Sequence, residues 1–110
     1  MNSTKIGFTT CLCFFVAGIF LPAVPASAQD AAGLYAAKCV ACHAADGSGS
    51  DVGKKLGAHD FHSATVQNMS DADLTGIISN GKNKMPPYGK TLKAGEIKGL
   101  VAYVRELGKK

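Results

Sequence analysis

Cys39-Val40-Ala41-Cys42-His43 constrains this chain more than any other stretch. Two thiols three positions apart lie on about one turn of helix. Both can therefore form thioether links to the two vinyl groups on one edge of a porphyrin. The next residue, His43, is then carried under the ring with an imidazole nitrogen toward the iron. Cys-x-x-Cys-His reads as a covalent haem c attachment site on Cys39 and Cys42, with His43 as the proximal iron ligand. Three other readings compete. A redox disulfide wants a thioredoxin-like βαβ frame, and no strand pattern is visible here. A zinc site needs two further ligands, which His59 and His62 could supply. The third is chance.

Context favours haem. Lys5 and the apolar run from Leu12 to Leu21, followed by Pro22, Pro25 and Ala26-Ser27-Ala28, have the form of a secretory signal peptide with an A-x-A cleavage site. The apolar run is shorter than the roughly 20 residues that a membrane span requires. Cys11 and Cys13 lie before the cleavage site, which argues against a lipid-anchored cysteine. Residues 1–28 are thus expected to be removed, leaving residues 29–110 as one exported, periplasmic-type domain with no transmembrane span. Only Cys39 and Cys42 remain in it, so a zinc site has no second cysteine pair. At about 80 residues a single apolar core is marginal and a staple is expected. A covalent haem is such a staple.

Along residues 29–110, Asp30 is placed to cap a helix from Ala31, with Leu34, Tyr35 and Lys38 on one side. That helix runs into Cys39. Residues 44–57, rich in glycine and serine, read as an irregular loop along one edge of the haem. A short helical turn is expected near Ala64. Ser70-Asp71-Ala72-Asp73 has the form of a capping box, with Leu74, Ile77 and Ile78 as the apolar stripe behind it and Asn80-Gly81 as the stop. A loop from Gly81 to Leu92 follows. The last helix should run from about Ala94 to Leu107, with Ile97, Leu100, Val101 and Val104 on one face. Lys93 is a poor cap for it. Gly99 inside it costs roughly 1 kcal/mol relative to alanine.

With these segments in place, the chain resembles the small, soluble, monohaem class I c-type cytochromes over nearly all of residues 30–108. The likeness rests on Leu34-Tyr35 ahead of Cys39, on Lys84-Met85-Pro86-Pro87-Tyr88, and on Leu100-Val101-Ala102-Tyr103-Val104. It implies an all-α fold of about three to four helices wrapped around one covalently bound haem, with the N- and C-terminal helices crossing near Tyr35 and Tyr103. One departure stands out. Many relatives have a proline after the haem motif whose neighbourhood accepts the histidine ring N–H, and no proline occurs between His43 and Met85. A backbone carbonyl in residues 51–56 is expected to take that part.

The sixth iron ligand is expected to be Met85. It stands in a polar loop between lysines and prolines, where it gains little from packing, and prolines fix a loop that must present a thioether. Met69 precedes the Ser70 cap with Leu74 five residues on, the pattern of a hydrophobic staple. His59 and His62 read as solvated loop residues.

A ligand set with both axial positions filled implies an electron carrier, not an enzyme. The alternatives are a haem sensor or enzyme with an exchangeable sixth ligand, and a haem subunit docked in a larger respiratory complex. Five lysines between Lys82 and Lys98 stand against Glu96 alone, while five aspartates between Asp46 and Asp73 stand against Lys54 and Lys55. A redox protein with an acidic docking face, met by Lys82, Lys84, Lys90 and Lys93, is the expected partner of a monomer. The net charge of +4 and the aromatic content of 7% are too low to suggest nucleic acid.

Overall fold

The computed structural model describes residues 18–22 and 26–110, with side chains described for 18–22 and from Asp30 onward. Most of the expected signal peptide therefore lies outside the described residues. The fold is all-α, and the described residues form no strand beyond an isolated bridge between Lys82 and Met85. Six helical segments follow in order: α1 (Ala26–Lys38), α2 (Val40–His43), α3 (Asp51–Lys55), α4 (Ala64–Gln67), α5 (Asp71–Asn80) and α6 (Ala94–Leu107). That exceeds the three to four expected because three of them are only one turn or so long. None of them is long and apolar enough to cross a membrane.

α6 is the spine of the core. Its residues Ile97, Leu100, Val101, Val104 and Leu107 recur at helical spacing and are all buried. They pack against α1 and α5, meeting Tyr35 from the first and Leu74 and Ile78 from the second in one apolar cluster. The rings of Tyr35 and Tyr103 lie 5.1 Å apart, which marks the expected meeting of first and last helices. Each fully buried aliphatic side chain contributes about 1.5–3 kcal/mol.

Local signals explain most helix ends. Ser70 Oγ accepts from the Asp73 amide at 3.0 Å, and the Asp73 carboxylate accepts from the Ser70 amide at 3.2 Å, so the capping box forms. Gly81 closes α5 at φ 74. At α6 only half a box exists: Glu96 accepts from the Lys93 amide at 2.7 Å, and an ammonium has no lone pair with which to return the bond. Arg105, the only arginine in the sequence, reaches from α6 to the carbonyls of Val66, Gln67 and Met69 and to Asp71. It thereby fixes the α4–α5 corner.

Two expectations fail here. Asp30 does not cap α1, which begins at Ala26, because no breaker separates Pro25 from Ala31. Residues 44–57 are not wholly irregular, since Ser50 accepts from the Gly53 amide and starts α3. The glycines on either side of α3 hid that short helix.

Candidate functional site

Two thiols and an imidazole reach one cavity because α1 and α2 are nearly continuous. The Cys39 amide donates to the Tyr35 carbonyl and the His43 amide to the Cys39 carbonyl, each at 2.9 Å. Helical bonding thus crosses the join, and Cys42 and His43 fall three and four positions beyond Cys39 on one face. Both cysteine side chains are half-buried. Burial pushes the Cys39 thiol up, against the opposing pull of Lys38. Burial pushes the His43 imidazole below its ordinary range and keeps it neutral, the form that ligates metal.

Beyond His43 the chain turns at Ala44, which takes φ 61, and the Tyr35 phenol donates to the Ala44 carbonyl at 2.7 Å. Ser50 then fastens the loop back onto the motif. Its hydroxyl donates to the Ala41 carbonyl at 2.7 Å, and its amide donates to the Cys42 carbonyl at 2.9 Å. Gly53 packs so tightly there that a Cβ would overlap the Cys42 carbonyl.

The Met85 loop forms another wall. Lys82 and Met85 exchange backbone hydrogen bonds of 3.2 and 2.9 Å, closing a two-residue turn in which Asn83 takes φ 53. The amides of Tyr88 and Gly89 donate to the carbonyls of Ile78 and Ser79, both at 2.9 Å, and strap the loop along the end of α5. A Cβ on Gly81 would lie 2.5 Å from the Met85 oxygen. The prolines singled out from the sequence are therefore only part of the device. The signal for the rest was Asn83, an asparagine that tolerates positive φ, and Gly81.

Cys39, Cys42, His43 and Met85 all line this cavity, whose remaining walls are largely apolar and include Phe61, Leu74, Ile78, Leu100 and Val104. Met85 is half-buried against the core. Met69 lines the cavity as well, so its staple position does not remove it from the site. His59 also reaches the lining while remaining exposed. His62 does not, and its Nδ1 lies 2.6 Å from the Asp60 carboxylate. Among the described residues His59 and His62 form no metal-holding group with the cysteines. Lys38, Lys82 and Lys84 line the cavity, whereas Lys90 and Lys93 are exposed away from the lining.

One expectation about His43 is overturned. No carbonyl of residues 51–56 accepts from its ring, and its buried Nδ1 has no hydrogen-bond partner among the described residues. The reason is α3, which directs the Val52, Gly53 and Lys54 carbonyls along its own axis, where they accept from Leu56, Ala58 and Gly57.

The donor set fits a haem. Two thiols can take thioether links, a neutral imidazole and a thioether can ligate iron, and the apolar walls suit a porphyrin. Comparisons agree. The sequence model of the family described as "Cytochrome C oxidase, cbb3-type, subunit III" matches residues 26–104. Cytochrome c6 of Pyropia yezoensis is 34% identical over 95 residues, covering 86% of this chain and 84% of that one. Cytochrome c6 of Synechococcus sp. is 33% identical over 89 residues, covering 81% and 78%. Among solved structures, the KustC0563 c-type cytochrome superposes with a TM-score of 0.67 at 36% identity, covering 71% of this chain and 96% of that one.

Proposed function

This chain belongs to the small monohaem class I c-type cytochromes, and we propose that it carries single electrons with its iron held between His43 and Met85. It is a haem c electron carrier whose partners are redox proteins. The proposal adds the residues. Cys39 and Cys42 make the two thioether links, His43 is the proximal ligand and Met85 the distal one. When bound, the group supplies a one-electron iron couple, and Met/His ligation raises its potential.

The observation that carries this reading is the convergence of both thiols, the neutral imidazole and the Met85 loop on one largely apolar cavity. Several features support Met85 over Met69. The Met85 backbone is locked by the Lys82 turn and the strap to α5. Met69, by contrast, is committed to the α4–α5 corner, where its carbonyl accepts from Arg105. Held by both His43 and Met85, the iron would have no position left for a substrate. Apolar walls exclude water and favour the less charged form of the site.

Cleavage after Ala28 belongs to the same proposal. It removes the first three residues of α1 and leaves the helix from Gln29 onward, so Tyr35 and its packing are untouched. The exported domain is then residues 29–110. Docking is proposed at the lysines of the cavity mouth, Lys82 and Lys84, extended by Lys90 and Lys93 and joined by Lys38.

Mass spectrometry of the exported protein tests the proposal directly. The expected product begins at Gln29 and retains one haem on the peptide holding Cys39 and Cys42 after denaturation, with a pyridine haemochrome of the two-thioether type. An unmodified chain, or one holding zinc, would falsify it.

A further inference from the structure

His43 lacks the restraint that most metal-bound histidines have. Such a ring ordinarily donates its second N–H to a carbonyl or carboxylate, which fixes its plane. Here Nδ1 is buried and unbonded among the described residues. A different contact lies against the ring: Phe61 is stacked on the imidazole with centroids 4.8 Å apart and planes 27° from parallel. Resting on His43 as the iron ligand, we infer that Phe61 is a positioning residue that sets the plane of the His43 imidazole by stacking.

Phe61 is itself held from several sides, as a positioning group must be. Only 8% of it is exposed. Its amide donates to the Gly47 carbonyl at 2.9 Å, and the Gln67 side-chain amide donates to its carbonyl at 2.5 Å. The Tyr35 ring meets it edge-on at 6.3 Å. Gly47 takes φ 79, and a Cβ there would lie 2.6 Å from Phe61 Cδ2, so the benzyl group fills the space that any other residue at 47 would need. None of these contacts is required merely to bury a phenylalanine. Together they hold one ring face against the imidazole. A ligand held by packing keeps its plane in both oxidation states, which suits a carrier that should reorganise little as the electron comes and goes.

Proton NMR of the oxidised holoprotein tests this, because the hyperfine shifts of the four haem methyl groups follow the plane of the axial imidazole. Phe61→Leu keeps the site apolar but removes the flat face. The expected result is a changed order or spread of the methyl resonances and a shifted reduction potential, with haem still attached and the Met–iron absorption band retained. Phe61→Tyr should return the pattern toward the wild type. Val101→Ala truncates the same core away from the cavity lining and should lower the melting temperature without moving the methyl pattern. If Phe61→Leu does not accumulate, Gly47→Ala presses on the Phe61 ring without removing it and should move the pattern too. Methyl shifts unchanged in Phe61→Leu, or in Gly47→Ala where that variant stands in for it, overturn the inference and leave Phe61 a packing residue. Failure of the ligand assignment looks different: the wild-type spectrum would then lack hyperfine-shifted ring protons from His43, and both statements would fall.

Discussion

The Tyr88 phenol donates to the Lys38 carbonyl at 3.3 Å, joining residues fifty positions apart. It ties the Met85 loop to the last residue of α1, one position before Cys39. Burial pushes the phenol above its ordinary range, so it stays a donor at neutral pH. Tyr88→Phe should keep the packing and lose the tie, at a cost of about 0.5–1.5 kcal/mol. Denaturation followed at the Met–iron band should show that band bleaching earlier than in the wild type, while the midpoint for helix loss moves less.

Two glycines in short helical contexts should respond with opposite signs. Gly53→Ala drives a methyl group into the Cys42 carbonyl and should cost about 1–3 kcal/mol or prevent haem attachment altogether. Gly76, inside α5, has open space where an alanine methyl would stand, with no atom within 4 Å of it. Gly76→Ala should therefore stabilise by about 0.5–1 kcal/mol through helix propensity alone. Melting temperatures and holoprotein yields of the two variants check both.

Met85 and Met69 share a cavity, and their alanine variants separate ligand from packing. Met85→Ala should abolish the Met–iron band, lower the reduction potential and let small ligands bind the iron. Met69→Ala should keep the band and lose stability on the order of 1 kcal/mol, since the side chain is only partly buried. The opposite pair of results would reverse the assignment.

Much of this was legible from residues 39–43, 70–74 and 94–107, because each carries its own local physics. A five-residue attachment motif, a capping box and a four-residue apolar stripe do not depend on distant partners. What the sequence concealed was non-local. Arg105 looks like a solvated helix residue until its guanidinium is seen closing the α4–α5 corner from thirty-odd positions away. Phe61 stands in a segment without periodicity, and nothing in the sequence relates it to His43. The α3 helix was hidden by glycines whose backbone freedom serves close approach to the motif, as at Gly53, rather than disorder. Its formation also directs along the helix axis the Val52, Gly53 and Lys54 carbonyls, which belong to the segment expected to meet the His43 ring.

Acid should expose the capping box at α5. Hydrogen bonds from the Ser70 hydroxyl and amide hold the Asp73 carboxyl below its ordinary range. A carboxyl whose folded pKa is depressed adds stability that is present above its unfolded value, about 3.9, and is lost as pH falls through the folded one. Asp60 and Asp46 are shifted in the same direction by their bonds to His62 and Ser48. Stability contributed by these carboxylates should accordingly fall below about pH 4. Asp73→Asn should flatten part of that acid limb while leaving an acceptor for the Ser70 amide. A limb of unchanged steepness in Asp73→Asn would mean that the cap does not contribute to it.

Docking is the step that the charges address. Lys82 and Lys84 line the mouth of the cavity on either side of Asn83, and Lys38 lines it from the end of α1. Lys90 and Lys93 extend the positive surface without lining the cavity. Lys109 differs, since its ammonium lies 2.6 Å from the Glu106 carboxylate and is locally neutralised. An acidic partner should therefore be drawn in with the Met85 side leading, through an attraction screened over roughly 8–10 Å at physiological salt. Charge reversal at Lys82 and Lys84 should slow electron transfer to such a partner by about 10-fold or more at low ionic strength, within the range that steering supplies. The same change at Lys90 should slow it less, and at Lys109 least. Added salt should erase the differences, and the reduction potential should move little. Rates indifferent to salt and to the Lys82 and Lys84 reversals would place the docking surface elsewhere, with Val52 and Leu56, large apolar side chains exposed on α3 and just beyond it, as the next face to test.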